Sequence, residues 1–383
     1  TNNFTSYGAY ISSSPYNLIL NNTIYNVTEA IYLSDSENNK VANNIIRNAI
    51  SKGIEVAFSS TENIIDKNFI YNSTGIIIFC SSNNIISNNT IRDIRRGYFP
   101  MSPPEGAAGI WLGGSGTTNN YFFNNTITGS NETCDVYGIF LRDGSNNNVF
   151  DHIQIGDLNS TGSVYGIYIY MHYLGSNNNI FSNCSIYGMD GDNAYAFYST
   201  ENNKNNTIKN MTIASYPTTI SFTYGNGIAL KGVEGDIPWN NGLAYISKFV
   251  NITNITDSSW INITFYYSEE DVSIVDETTL ALYEWDGSNW NEMASIHDME
   301  NNTINANITE FSIYGIFGTL DMTIKFNLGW NLITIPTDTD WTAHDLGTNI
   351  SGCTLVVKWD ASLQKYVAHY VPWETVNNFD IKQ

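Results

Sequence analysis

The chain has 383 residues, 42% of them apolar, with 16 basic and 37 acidic side chains and a formal net charge of −21. A surface this acidic repels phosphate backbones and anionic lipid, which argues against nucleic acid or a membrane surface as partner. No apolar run approaches the ~20 residues of a membrane-spanning helix, and the length leaves room for two or three domains.

The chain opens inside a repeat. Asn-Asn-x-Ile occurs as Asn21-Asn22-Thr23-Ile24, Asn43-Asn44-Ile45-Ile46, Asn88-Asn89-Thr90-Ile91 and Asn124-Asn125-Thr126-Ile127. Degenerate copies stand at Asn3, Asn68, Asn183 and Asn210. Between the copies lie short pieces such as Gly75-Ile76-Ile77-Ile78-Phe79 and Gly166-Ile167-Tyr168-Ile169-Tyr170, separated by Ser/Asn/Gly turns. Each piece is too short for a helix and carries β-branched or aromatic residues in alternation, so each reads as a strand. Three strands per cycle, stacked on their own copies, predict a parallel β-helix with right-handed crossovers.

Counted on the second Asn, the first coils are 22, 24 and 21 residues long, and the next is 36. The excess reads as an inserted loop from Arg92 to Glu105, on the side where such insertions often bind. The recurrent Asn suits left-handed corners and amide stacking between coils. A structural ladder is expected at Asn22, Asn44, Asn68, Asn89, Asn125, Asn183 and Asn210. Because Thr1 already lies in a coil, with neither Met nor signal peptide before it, the chain reads as a piece of a longer precursor. An uncovered coil end would invite head-to-tail pairing with a second copy.

This cycle resembles the right-handed β-helix repeats of the NosD-like and carbohydrate-binding β-helix families over about residues 1–222. After Tyr216-Pro217 longer alternating strands follow, with Asp286-Gly287-Ser288-Asn289 as a hairpin turn. Leu282-Tyr283-Glu284-Trp285-Asp286-Gly287 and Glu310-Phe311-Ser312-Ile313-Tyr314-Gly315 resemble a sandwich domain common in archaeal cell-surface proteins. Gly329-Trp330-Asn331-Leu332-Ile333 through Pro336 resembles the opening of another small β domain of archaeal surface and S-layer-associated proteins. The expected fold class is therefore all-β: a right-handed parallel β-helix (1–222), a β-sandwich (223–319) and a further small β domain (320–383), the last read as incomplete.

Catalytic motifs are sparse. Asp93, Arg95 and Arg96 in the long loop and Arg142-Asp143 beside a strand are the best charged material for a lyase or glycosidase, but match no known site pattern. Asp190 and Asp192 are a candidate Ca²⁺ pair, although Asp, Gly and Asn equally make turns. No other cofactor is expected. The histidines lack metal-ligand spacing, and the four cysteines lack Cys-x-x-Cys spacing. Each cysteine reads equally as an inert buried thiol or as part of one or two disulfides.

Asn-x-Ser/Thr triplets number 17, against about ten from composition alone. Asn72, Asn131, Asn159, Asn251, Asn254, Asn262, Asn301 and Asn307 are the candidate glycosylation sites. The functional expectation is an extracellular, rigid, glycosylated scaffold or adhesin of an archaeal cell surface, in a layer, sheath or filament. It would associate with itself or with other surface proteins, and it is not read as an enzyme. The alternative is a β-helix that binds or degrades polysaccharide.

Overall fold

The computed structural model describes residues 6–97, 106–213, 216–235, 237–238, 243–321, 327–333, 341–373 and 375–381. Most of the loop expected between Arg92 and Glu105 (98–105) lies outside them. The chain divides into two compact units, 1–239 with 245–318 and 240–244 with 319–383.

The first unit begins as a parallel coil of eight rungs with three faces. The first face stacks Tyr7–Ser12, Glu29–Ser34, Lys52–Ala57, Ile76–Phe79, Ala107–Gly113, Val136–Arg142, Ser163–Tyr170 and Asn193–Ser199 in parallel register. The second face runs from Leu18–Leu20 to Ile180–Ser182 and the third from Thr23–Tyr25 to Ser185–Asp190; both end in Thr207–Ile213. Alternate residues point inward and stack on their equivalents, as the two-residue period of a strand requires. Ile54, Ile76, Ile110, Ile139 and Ile167 form one such column, all 0% exposed. Phe122, Phe150 and Phe181 form another, their rings stacked 4.5 and 4.7 Å apart.

The corners are set by residues in left-handed backbone geometry. One column runs Asn21, Asn43, Lys67, Asn88, Asn124, His152, Asn183 and Asn210, with φ between 51° and 58°. Asn is favoured there because its short amide tolerates αL.

At the last rung the pairing changes sense. Thr218–Gly225 runs antiparallel to Thr207–Ile213 and then to Trp260–Tyr266, which pairs with Thr303–Ile308. On the other side, Ile228–Lys231 runs antiparallel to Asn193–Ser199 and to Leu243–Asn254. That sheet continues through Ile313–Thr319, Ala281–Trp285 and Trp290–Glu292. Two antiparallel sheets thus grow directly from the faces of the coil, and residue 222 lies inside one of their strands. Phe249, Phe265, Tyr314 and Phe317 fill the space between them, each at most 1% exposed.

The described part of the second unit is an antiparallel hairpin, Leu355–Asp360 with Lys365–Tyr370, and one short helix, Ala343–Asn349. The helix follows from a capping box. The Thr342 hydroxyl accepts from the Asp345 N–H while the Asp345 carboxylate accepts from the Thr342 N–H. No helix among the described residues is long and apolar enough to cross a membrane.

Candidate functional site

Two features of the coil carry chemistry beyond ordinary core packing: its columns of buried amides and the outward side of its first face.

The longer amide column links Asn17, Asn39, Asn63, Asn84, Asn120, Asn148, Asn179 and Asn206, one from each rung. Each Nδ2 donates to the Oδ1 of the next at 2.9–3.1 Å. The backbone N–H of each donates to the same oxygen at 2.8–3.0 Å. Two donors converging on one atom fix it as the oxygen and settle the amide orientation. The second hydrogen of Asn63, Asn84 and Asn120 goes to a backbone carbonyl, of Ser36, Ser60 and Ser81. The column ends on the sandwich, where Asn206 donates to the Tyr224 hydroxyl and that hydroxyl donates to Ser199.

A shorter column joins Asn22, Asn44, Asn68, Asn89 and Asn125 in the same way, at 3.0 Å per step. Here one expectation is corrected. Asn183 and Asn210 do not stand on this column, whose equivalent positions are Ile153, Cys184 and Met211, all buried. Asn183 and Asn210 lie one residue earlier, on the exposed αL corner, where Asn210 donates to Asn183 at 3.3 Å and Asn183 to Asp151 at 2.9 Å.

The outward side of the first face is divided along the axis. At the second and third rungs Lys52 lies 2.6 Å from Glu55 and 3.4 Å from Glu29, with Lys52 and Glu55 both 7% exposed. One ammonium faces two carboxylates out of water. Burial pushes the Glu55 carboxyl above its ordinary value, against the opposing pull of Lys52. A group whose pKa is raised on folding contributes stability below the unfolded carboxylate range and loses it as pH rises through the folded value. Glu55→Gln is therefore expected to flatten the loss of stability with rising pH, since Lys52 keeps Glu29. Unfolding midpoints from about pH 4 to about pH 8 measure this.

Ile77, Ala108, Trp111, Tyr137 and Phe140 form a buried cluster on the middle rungs. Beyond it the surface becomes a wall of tyrosines. Tyr137, Tyr165 and Tyr195 stack in one column with centroids 5.3 and 5.5 Å apart, their planes within 14°. Phe140 and Tyr168 stack beside them at 5.3 Å, and Tyr198 stands edge-on to Tyr165 and Tyr168. Tyr165, Tyr168, Tyr170, Tyr195 and Tyr198 are only half-buried. Burial lifts the Tyr165 hydroxyl to about 12 and Tyr168 higher, so both remain protonated donors at neutral pH.

Each edge of the wall is charged. On one side Arg142, 4% exposed, holds Asp143 through Nε at 2.6 Å and Nη2 at 2.5 Å, and its Nη2 lies 3.0 Å from His172 Nδ1. Guanidinium only donates, so His172 Nδ1 accepts and Nε2 carries the proton. The imidazole lies between Tyr170 and Tyr173, 6.2 and 3.8 Å from their ring centroids. On the other side Asp135 accepts from the Ser163 N–H at 3.0 Å and the Tyr137 hydroxyl at 3.4 Å, and Lys231 lies 4.2 Å over the Tyr195 ring.

The remaining candidates are dispersed. Arg95 donates to Asn72 and lies 3.7 Å from Glu132; Asp93 takes an αL corner, and Arg96 bridges to Ala107. Asp190 and Asp192 are both exposed, and among the described residues no three His, Cys, Asp or Glu side chains gather as metal ligands. All four cysteines are free thiols. Of the candidate glycosylation sites, Asn131, Asn159, Asn254, Asn262, Asn301 and Asn307 are exposed, while Asn72 and Asn251 are half-buried. Asn72 also donates to Asn48 at 2.7 Å. Asn131 neighbours Asn159 on the next rung, and Asn262 lies opposite Asn307.

The family model described as right handed beta helix region matches residues 1–155 and 65–237. No curated protein matches the chain. Among solved structures, ORF18 of Geobacillus virus E2 is 11% identical, with a TM-score of 0.44 over 95% of this chain and 64% of that one. The catalytic domain of a GH87 α-1,3-glucanase, solved with nigerose, is 15% identical over 50% of this chain and 48% of its own, with a TM-score of 0.31. The periplasmic alginate epimerase AlgG, as a double mutant, is 17% identical over 54% of this chain and 47% of its own, with a TM-score of 0.31. The chain spans less than two thirds of the length of each.

Proposed function

We infer the function of this chain from the premise that it belongs to the right-handed β-helix family: it is a rigid scaffold or adhesin module displayed outside the cell, rather than a catalyst. The observation that carries the reading is the eight-member amide column. It ties each rung to the next through fully paired amides, buried from Asn39 onward, and continues into the sandwich through Tyr224. Paired polar columns of this kind confer stiffness along the axis, which a load-bearing or spacing element requires. Net charge −21 keeps such a rod hydrated and apart from like-charged neighbours. The resemblance of the later segments to archaeal surface domains supports the same location, and glycosylation of the exposed Asn-x-Ser/Thr sites belongs to this reading.

Glycosylation has a geometric consequence. Side-by-side residues on neighbouring strands lie about 5 Å apart, too close for two sugar trees. Glycopeptide mass spectrometry of protein from its own cells is expected to find sugar on the exposed sites, with never more than one member of Asn131/Asn159 or of Asn262/Asn307 occupied on one molecule. Surface-accessible protease digestion of intact cells, read by the same peptides, tests the location. An unmodified chain confined to the cell interior would overturn the scaffold reading.

A further inference from the structure

We infer that His344 and His369, in the second unit, form an open site for a divalent first-row transition-metal ion. The site is independent of the scaffold reading, which rests on the amide column of the first unit.

Buried polar side-chain atoms nearly always find a partner. Among the described residues two do not, and both are imidazole nitrogens: His344 Nδ1 and His369 Nε2. They belong to neighbouring rings, whose centroids lie 5.5 Å apart with the planes at 84°. His344 stands in the first turn of Ala343–Asn349 and is half-buried, its N–H donating to Asn378 Oδ1 at 2.8 Å. His369 lies on the hairpin strand opposite Val356 and is 0% exposed. Helix and hairpin thus bring together two histidines far apart in the sequence, so no ligand spacing announces them.

Chemistry narrows what the pair can hold. His369 Nδ1 lies 2.9 Å from the Val376 carbonyl oxygen, which only accepts, so Nδ1 carries the proton and Nε2 bears a free lone pair. A carbonyl on the far nitrogen is the arrangement that fixes the tautomer and orientation of a metal-binding imidazole. His344 Nδ1 bears a lone pair in the same way once its Nε2 holds the proton. Two lone pairs cannot bond to each other, whereas one cation satisfies both. At about 2.0–2.1 Å per bond, two imidazoles sharing an ion at a tetrahedral angle have ring centres about 5 Å apart, close to the separation found. Neutral imidazole suits Zn²⁺, Cu²⁺ and Ni²⁺, while Mg²⁺ and Ca²⁺ take oxygen ligands. Asp345, next to His344, is committed to the capping box. No third His, Cys, Asp or Glu gathers beside the pair among the described residues, so solvent completes the coordination. A structural zinc centre takes four protein ligands; this ion is exchangeable.

Calorimetric titration of the full chain, first stripped by a chelator, with ZnCl₂ or MgCl₂ at neutral pH tests the site. Zn²⁺ is expected to bind and Mg²⁺ not. Long-range proton–nitrogen NMR should show His344 Nδ1 and His369 Nε2 shifting as Zn²⁺ is added. His344→Gln should weaken Zn²⁺ binding about tenfold or more and leave melting of the metal-free chain unchanged. His369→Gln should do the same to binding; should its burial prevent folding, the nitrogen shifts of the unaltered chain still identify the second ligand. His152→Gln removes an exposed imidazole of the first unit and should leave the affinity as it is. Zn²⁺ binding no tighter than about 1 mM, undiminished affinity in His344→Gln, or shifts at other imidazoles in place of these two would each overturn the assignment.

Discussion

Asn84→Ala is expected to destabilise the coil by about 3–6 kcal/mol, because each buried donor or acceptor left without a partner costs about 1–3 kcal/mol. Asn84 is 0% exposed. Its Oδ1 accepts both the backbone N–H and the Nδ2 of Asn63, and its Nδ2 serves the Ser60 carbonyl and Asn120. Alanine removes the acceptor for two buried donors and the donor for one buried carbonyl, and leaves a cavity the size of the lost amide. Asn120 fares better, since the backbone N–H of residue 84 still reaches it.

Position on the column decides how much of this is felt. At the first rung Asn17 is half-exposed, and its amide chiefly donates, to Asn39 and to the Ser14 carbonyl. Water replaces those partners, so Asn17→Ala should cost about 1 kcal/mol. Chemical denaturation gives the global effect. Amide exchange should localise the loss in Asn84→Ala to the rungs around Asn63, Asn84 and Asn120, as nearest-neighbour coupling in a solenoid predicts. A loss below about 1 kcal/mol at Asn84 would mean that the column contributes little to rigidity, and the scaffold reading would lose its main support.

The sequence disclosed the coil because its period is carried by a residue with few other reasons to recur. Asn at an αL corner, followed by Asn on the amide column, produces the doublets Asn21-Asn22, Asn43-Asn44, Asn88-Asn89 and Asn124-Asn125. The same logic misplaces Asn183 and Asn210. Once Cys184 and Met211 replace the buried amide, only the corner Asn remains, and single residues do not reveal which column they occupy. The longer amide column is written in the same doublet, as Asn38-Asn39, Asn83-Asn84, Asn119-Asn120, Asn147-Asn148, Asn178-Asn179 and Asn205-Asn206 with the first Asn at an αL corner, and adds a Ser or Thr three residues before the buried Asn, as in Ser60/Asn63, Ser81/Asn84 and Ser145/Asn148. Its Ser members repeat the pattern, with the Ser36 N–H donating to Ser60 Oγ and the Ser60 N–H to Ser81 Oγ. A search for Asn-Asn alone meets both columns and does not tell them apart.

The tyrosine wall was less legible still. Alternation reveals that Tyr165 and Tyr168 sit on a strand, but only register places Tyr137, Tyr165 and Tyr195 in one column. Coil lengths varying from 21 to 36 residues hide that register. The helix at Ala343–Asn349 was passed over although Thr342 and Asp345 spell its capping box, because its seven residues lack an apolar period long enough to detect.

Gly75→Ala is expected to be the most damaging small substitution in the first unit, with a loss of about 3 kcal/mol or more. Gly-Ile at the start of the first-face strands reads in the sequence as ordinary strand onset, but the glycines form a column of their own: Gly8, Gly53, Gly75, Gly109, Gly138 and Gly166, with Ala30 and Ala196 near the ends. The register between rungs passes over this position; Tyr7 pairs with Glu29 and Ala9 with Ile31, leaving Gly8 and Ala30 outside the ladder. Here the backbones of successive rungs approach each other, as glycine within a strand often marks.

A Cβ on Gly75 would lie 1.9 Å from the Gly109 carbonyl oxygen and 3.0 Å from Ile91 Cδ1. The first obstacle is backbone, so no side-chain rotation relieves it, and the rung above must shift. That rung holds Trp111 and the buried cluster beside the tyrosine wall, so the displacement should also loosen the wall. Gly138→Ala, which meets Ile155 Cγ2 at 2.5 Å and the Gly166 carbonyl at 2.6 Å, should cost less. Ala30→Gly, at a rung that already accommodates the methyl, should cost only the ~1 kcal/mol of added backbone freedom. Melting temperature and denaturant midpoint rank the three. If the order of loss is not Gly75→Ala, then Gly138→Ala, then Ala30→Gly, close backbone approach is not what selects glycine in this column.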